Sequence, residues 1–407
     1  MNITPFGRRW AARCLALLCL AALQAQAAPA LREDLAWHGD NRARLNEMLA
    51  QHGRGSPGYR ASAPPVAVFD FDNTTIKNDV GDALVFWMLA NNKVLQPAAR
   101  DWKGVSPLLT DAAAAAIKAA CDGQGDPGQP LRTDDGSAAS RACADELVAV
   151  YDTDKTVAGQ PAWTRGADDF INPAYGLAVQ LLAGYTPDDV RVMAGAAIDQ
   201  NLAAPVGAKQ RVGNRSVNGY VRRYEQIDDL MRNLRLAGFD VWIVSASPQQ
   251  PVEVFGGYFG VPPQRVVGVR SVLDSTGRLT ARFQGAGRFA EGNAELITYR
   301  DGKRWWINKV VFGERDPARQ MLRTPEVTDR LVFVAGDSDT DLSMLKDAKV
   351  KLVLNRNKAE LMCNAFHNDG GSGQWLVNPM FIEPRPRKET PYACGKWNLP
   401  DQADKVH

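Results

Sequence analysis

The chain has 407 residues, with 48 Lys and Arg against 46 Asp and Glu and a formal charge of +2. A balance so near neutral carries no electrostatic footprint for nucleic acid or for an anionic membrane surface. This length calls for one large domain with an insertion, or for two domains, with ample core in either case.

At the N terminus, Arg8, Arg9 and Arg13 precede an apolar run from Cys14 to Leu23, and Ala25-Gln26-Ala27 supplies small residues in an A-x-A pattern. That layout is a secretory signal peptide over residues 1–27, too short in its apolar part to span a bilayer as a helix. The arginine pair leaves a twin-arginine route open. Cleavage there takes away three Arg and no acid, and no later stretch is apolar for 18 residues. A periplasmic or secreted protein without stable membrane association is therefore expected. Four of the six cysteines survive: Cys121, Cys143, Cys363 and Cys394. An even number in an oxidising compartment argues for two disulfides, and of the three pairings we favour the sequence-local Cys121–Cys143 and Cys363–Cys394. No C-x-x-C occurs, which argues against zinc or thioredoxin-like chemistry.

Residues 31–52 read as a helix ending near Gly53, and the Gly, Pro and Ser content of the next dozen residues reads as a linker. Val66 to Phe71 is a continuous apolar run, the signature of a strand buried on both faces. From about Asn78 to Gly219 helix patterns dominate: DVGDALVFWMLANN, SRACADELVAVYD, PAYGLAVQLLAG and TPDDVRVMAGAAIDQNL. The last opens with Thr186, Pro187 and two Asp, a good N-terminal signal. CDGQGDPGQPLRTDDGS between them must be a loop. Alternation resumes with YEQIDDLMRNLRLAG, an amphipathic helix closed by Gly238, and VWIVS, a buried strand from Val241 to Ser245. VVGVRSVLDSTGRLTARF reads as a hairpin around Ser275-Thr276-Gly277, GKRWWINKVVFG as a helix, and RLVFVAG and VKLVLN as two further buried strands. The expected fold is α/β: a doubly wound, Rossmann-like parallel sheet from residues 66–78 and 220–385, interrupted by a mainly helical insertion over 79–219. Residues 28–65 form an N-terminal helix and linker, and 386–407 a loop-rich tail.

Polar groups stand at the ends of four of these elements, the edge where open α/β sheets bind ligands. The first group is Asp70-Phe71-Asp72-Asn73-Thr74. Residues two apart on a strand point the same way, so the two carboxylates face one spot. Their repulsion is relieved by a divalent cation, and one can attack phosphorus while the other protonates a leaving oxygen. Taken alone, the motif fits a solvated turn equally well. The second is Ser245, whose hydroxyl, with nearby backbone N–H groups such as that of Ala246, can donate to a phosphoryl oxygen; an ordinary turn is the alternative. The third is Lys303, beside Gly302 at a helix start, where an amine can neutralise a carboxylate and an incoming phosphate. Lys309 competes for that role. The fourth is Gly336-Asp337-Ser338-Asp339-Thr340-Asp341, an acidic loop suited to a hard cation or to capping the helix that follows. Four such groups in this order, each behind an apolar strand or at a helix start, do not arise together by chance.

As a set they resemble the motifs of haloacid-dehalogenase-superfamily phosphatases: DFDNT, the Ser of VWIVS, the Lys of GKRWWI, and GDSDTD. The resemblance implies that Asp70 is phosphorylated and that Asp72 is general acid, then general base for water. It places Mg²⁺ on the carboxylates of Asp70 and Asp337 and the backbone carbonyl of Asp72, with Asp341 holding a metal-bound water or orienting Lys303. The helical insertion looks like that family's cap. Within the superfamily the chain is most similar to secreted phosphorylcholine-phosphatase-like and phosphoserine-phosphatase-like enzymes, through AVFDFDNTTIKND, IVSASPQQ, VVGVRSVL, GKRWWI and KLVLNRNKAELM. The likeness thins through residues 100–170. An acidic pair associated with choline recognition reads Gly81-Asp82 here, which leaves Asp79 and Asp82 as partners for a substrate amine. Trp87 is either a cation–π face or core of the cap. The implied activity is Mg²⁺-dependent hydrolysis of a small phosphomonoester (phosphocholine, phosphoethanolamine or O-phosphoserine) through an aspartyl-phosphate. A mutase on the same scaffold and an inactive binding protein of this fold are the alternatives. Asp72 argues against a dehalogenase, since departing halide needs no proton. Four His without an R-H-G setting, and no C-x₅-R, argue against other phosphatase chemistries.

Overall fold

The computed structural model describes residues 29–285, 296–316, 318–371 and 374–401. The expected signal peptide lies outside the described residues, as do the last residues of the tail. Six strands form the central sheet: β1 (Val66–Phe69), β2 (Asp240–Pro248), β3 (Val266–Val269), β4 (Leu331–Gly336), β5 (Val350–Asn355) and β6 (Trp375–Pro379). Their order is β6-β5-β4-β1-β2-β3, and every pairing is parallel. VAVF and LVFVAG are buried at every position because helices cover both faces. On one face Phe69 and Phe333 pack with Leu45, Ile227 and Leu230. On the other Val68 and Val334 pack with Trp305, Leu345 and Leu361. This is the doubly wound α/β core expected. The chain runs outward from β1 to β2 and β3, then restarts on the other side of β1 with β4. The reversal opens a crevice between the ends of β1 and β4, the usual ligand position in such sheets.

A second hydrophobic cluster gathers Leu84, Leu147, Leu177, Val190 and Ala194 from the helices Val80–Ala90, Ala138–Thr153, Pro173–Gln180 and Pro187–Ala203. Thr186 and Asp189 close a capping box at the start of the last, with Pro187 in its first turn. Trp87 packs against this cluster.

Several elements differ from expectation. The N-terminal helix is only Asn41–His52. Gly39 takes a left-handed φ of 55°, and Leu31 donates its N–H to Asn46 Oδ1, so residues 31–40 fold back along the helix instead of extending it. Asp111–Cys121, capped by Thr110, is a helix that the sequence reading did not pick out. Lys209–Val212 and Arg215–Asn218 form an antiparallel hairpin where a helical insertion was expected. The run from Val266 splits: VVGV is β3, buried throughout, and only Ser271–Leu273 and Leu279–Phe283 pair as a hairpin. The helix at Asp301–Trp306 gives way to a π-turn over Ile307–Val311. Beyond Gly370, Trp375–Pro379 supplies an edge strand, and Phe381 packs edge-on to Trp37 and Tyr224. Both favoured disulfides, Cys121–Cys143 and Cys363–Cys394, are formed. Among the described residues, no helix is long and apolar enough to cross a membrane.

Candidate active site

Asp70 follows the last residue of β1 and takes a final sheet bond through its N–H to the carbonyl of Ala335 in β4. The chain then turns sharply. Asn73 adopts φ 62°, a conformation Asn tolerates, and Thr75 closes the turn with its hydroxyl on the Asp70 carbonyl at 2.7 Å. Lys303 reaches the same spot from the opposite face. A Cβ on Gly302 would lie 2.0 Å from the carbonyl oxygen of Ile297, so glycine is what lets this helix start press into the core. At Gly336 a Cβ would come 2.6 Å from that of Asp341, and its absence lets the acidic loop fold tightly over the end of β4.

The Lys303 amine is fully buried and bridges two carboxylates, 2.6 Å to Asp70 Oδ1 and 2.5 Å to Asp341 Oδ1. Asp341 Oδ2 accepts the N–H groups of Asp337 and Ser338 at 3.0 and 3.1 Å. Asp341 thus serves both readings of the loop, capping its turn with one oxygen and orienting Lys303 with the other. Thr74 Oγ1 stands 2.9 Å from Asp70 Oδ2 and 2.9 Å from Asp337 Oδ1. Asp337 Oδ2 accepts from Arg356 at 2.7 Å. Lys309, the rival lysine, donates to the carbonyl of Gly285 and lies over the Trp306 ring.

Asp72 has other partners. Its Oδ1 accepts the N–H of Val80 at 2.7 Å, and its Oδ2 accepts the hydroxyls of Ser247 at 2.7 Å and Ser245 at 3.1 Å. The two acids of the first motif therefore face one cavity, as alternation implies, but each is held separately.

Burial, reinforced by Asp337 and opposed by Lys303, pushes the Asp70 carboxyl up to about 6. Burial also lifts Asp72 well above the usual carboxylate range, helped by Asp79 and Asp70. Asp337 and Asp341 shift upward for the same first reason. Burial alone would lower the Lys303 ammonium, but Asp341 and Asp70 outweigh it and hold it above its ordinary value.

Asp70, Asp337 and Asp341 each offer a carboxylate oxygen within 4.8 Å of the others. Three buried carboxylates so close, all hard oxygen donors, fit a divalent cation such as Mg²⁺. The Asp72 carboxylate is not part of this group.

A cavity of about 340 Å³ lies above the cluster, lined by Asp70, Asp72, Asp337 and Ala246 from the core and by Asp79, Asp82, Tyr151 and Tyr175 from the helical segment. Ser245, Lys303 and Asp341 sit beneath it, each fully buried. Asp79 caps the Val80–Ala90 helix through the N–H of Asp82 at 2.9 Å, and Asp82 Oδ1 accepts the Tyr151 hydroxyl at 2.5 Å. Burial raises both acids, and Asp79 lifts Asp82 further. Trp87 does not line this cavity; the tyrosines do.

Thr74, Ser247, Tyr151, Tyr175 and Arg356 also stand at the site, with no role expected of them from the sequence. Ser247 shares its strand parity with Ser245, a signal that could have found it. Arg356 follows the buried strand VKLVLN, the same kind of position that drew attention to the motifs.

No protein-family model and no curated protein matches the chain. Among solved structures, it is similar to a conserved protein of unknown function from Anaerococcus prevotii DSM 20548, with a TM-score of 0.62 at 19% identity, over 85% of this chain and 93% of that one. A protein of unknown function from Bordetella pertussis Tohama I follows at TM-score 0.47 and 16% identity, over 78% and 98%. A phosphoserine phosphohydrolase-like protein from Francisella tularensis subsp. tularensis SCHU S4 gives 0.33 and 12%, over 77% and 94%. The first of these shares the fold. With six parallel strands in this order and four motifs gathered about the switch point, the chain has a doubly wound, Rossmann-like α/β core.

Proposed function

We propose that the protein is a phosphomonoesterase in which Asp70 receives the phosphoryl group. The observation that carries this reading is the buried Lys303 bridging Asp70 and Asp341 at the mouth of the sheet's switch point. An ammonium so placed neutralises the nucleophile and greets a phosphate dianion without reorganising. In the first step an Asp70 carboxylate oxygen attacks phosphorus as the bond to the leaving oxygen breaks, and Asp72 gives that oxygen its proton. An acid must hold its proton until then, and the upward shift of Asp72 supports the role. In the second step water attacks the aspartyl-phosphate, Asp72 takes the water's proton, and inorganic phosphate leaves with Asp70 restored. Ser245 and the Ala246 N–H hold phosphoryl oxygens throughout.

Asp70, Asp337 and Asp341 fit as the carboxylates around Mg²⁺, to which the resemblance adds the Asp72 carbonyl. When bound, the cation supplies positive charge to the phosphoryl oxygens. Asp79 and Asp82, half-buried and raised, gain from a cationic group on the leaving alcohol, and the Tyr151 and Tyr175 rings suit one. The substrate class is therefore a small phosphate ester of an amino alcohol: phosphocholine, phosphoethanolamine or O-phosphoserine. Export to the periplasm or beyond is part of this reading, and two disulfides agree with it.

The test is hydrolysis of p-nitrophenyl phosphate and of the three esters, with Mg²⁺ and with chelator. Release of phosphate that needs Mg²⁺ and vanishes in Asp70→Asn is expected. Parent protein inert towards all four esters would sink the reading.

A further inference from the structure

We propose that Ser247 is a positioning residue, which holds the Asp72 carboxyl while Ser245 is engaged by the phosphoryl group. The inference rests on the phosphatase reading above. Ser245 and Ser247 lie two apart on β2 and point the same way. Both hydroxyls reach one oxygen, Asp72 Oδ2, at 3.1 and 2.7 Å. Ser245 Oγ in turn accepts the N–H of Ser247 at 3.1 Å. Ser247 borders the cavity, while Ser245 lies beneath it.

A serine hydroxyl has one proton to donate. Ser245 cannot give it to Asp72 and to a phosphoryl oxygen at once. When phosphate is bound, Ser245 turns to it and one lone pair on Asp72 Oδ2 is vacated, on the side facing the phosphorus. That is where the acidic proton must sit to reach the leaving oxygen. Two bonds then keep the carboxyl aimed: the Val80 N–H on Oδ1 at 2.7 Å, and Ser247 on Oδ2. Ser247 is itself boxed in. Asp79 Oδ1 lies 3.4 Å from its hydroxyl, and a Cβ at Gly81 would come within 2.9 Å of it. Without Ser247, the Val80 N–H alone restrains the acid and its proton strays from the leaving oxygen.

The experiment compares kcat/KM, which reports transfer to Asp70, for an alkyl phosphate and for p-nitrophenyl phosphate. An alkoxide needs the proton and a nitrophenolate does not. Ser247→Ala should lose about 10- to 100-fold with the alkyl ester and less than about 3-fold with the aryl ester, whose leaving group departs unprotonated. Ser245→Ala should lose on both alike, because phosphate binding suffers. Ser247→Cys, near in size with a weak donor, should fall between parent and Ser247→Ala; it also serves if the alanine variant does not fold. Equal losses on both esters, or none on the alkyl ester, would overturn the assignment while leaving the phosphatase reading intact. A parent inactive on both esters would overturn both.

Discussion

Lys303 is the residue whose burial decides the most. A fully buried ammonium is tolerable because Asp70 and Asp341 each give it an oxygen within 2.6 Å. Lys303→Met would leave two buried carboxylates without their cation. We expect it to raise the reaction barrier by about 3–4 kcal/mol and to lower the thermal midpoint as well. Lys309→Met should change the rate less than about 3-fold, since among the described residues its amine meets a backbone carbonyl and a Trp face. Steady-state rates of the two variants check this, and equal or reversed losses would move the role to Lys309. The two acids of the first motif should also fail differently. On the proposed reading Asp70→Asn removes the nucleophile and should abolish turnover on every ester. Asp72→Asn should hurt poor leaving groups most and let phosphorylated Asp70 accumulate, visible as a mass increase during turnover. A phosphorylated Asp70→Asn protein would contradict both roles. These residues were legible in the sequence because each falls in a short motif at a strand end or a helix start. Arg356 and Tyr151 were not, because their partners, Asp337 and Asp82, stand 19 and 69 positions away, a pairing only the folded chain reveals.

At the scale of elements, legibility followed burial. Strands covered on both faces tolerate few polar side chains, so β1, β2, β4 and β5 stand out as apolar runs. The Asp111–Cys121 helix escaped because its buried side is Ala113, Ile117 and Cys121 among further alanines, too faint a period to notice. The Lys209–Asn218 hairpin escaped because it is largely exposed and carries basic and polar residues. The disulfides were readable by spacing, and each ties an element to a neighbour. Cys121–Cys143 joins two helices of the inserted segment, and Cys363–Cys394 ties the tail back to the helix Ala359–Gly371. Replacing either pair with serine should lower stability by about 2–4 kcal/mol. Denaturant unfolding measures the loss, and peptide mapping without reductant reads the pairing. Four free thiols in the purified protein would remove this claim and weaken the export reading with it.

For the molecule as a whole, the reversal of strand order brings acids from distant parts of the chain into one buried group, and on the proposed reading stability should depend on both pH and cation. Burial pushes Asp70 from its ordinary 3.8 up to about 6, and Asp337 and Asp341 shift the same way. Between about pH 4 and about pH 6 the folded chain therefore holds more proton at Asp70 than the unfolded chain does. Stability must then fall as pH rises through that window, because ionising a buried, crowded carboxylate is costly. A divalent cation binds the ionised form only, so its stabilising effect should run the opposite way. We expect thermal unfolding in chelator to show a midpoint that declines from pH 5 to pH 7. Millimolar Mg²⁺ should add little at pH 5 and several degrees at pH 7, since a ligand that binds only the folded state stabilises it by mass action. Asp337→Asn, with one anionic oxygen donor fewer, should shrink the gain at pH 7 and need more Mg²⁺ to recover it. A gain that is the same at both pH values, or one that Asp337→Asn leaves untouched, would mean that the cation sits elsewhere than on these three carboxylates.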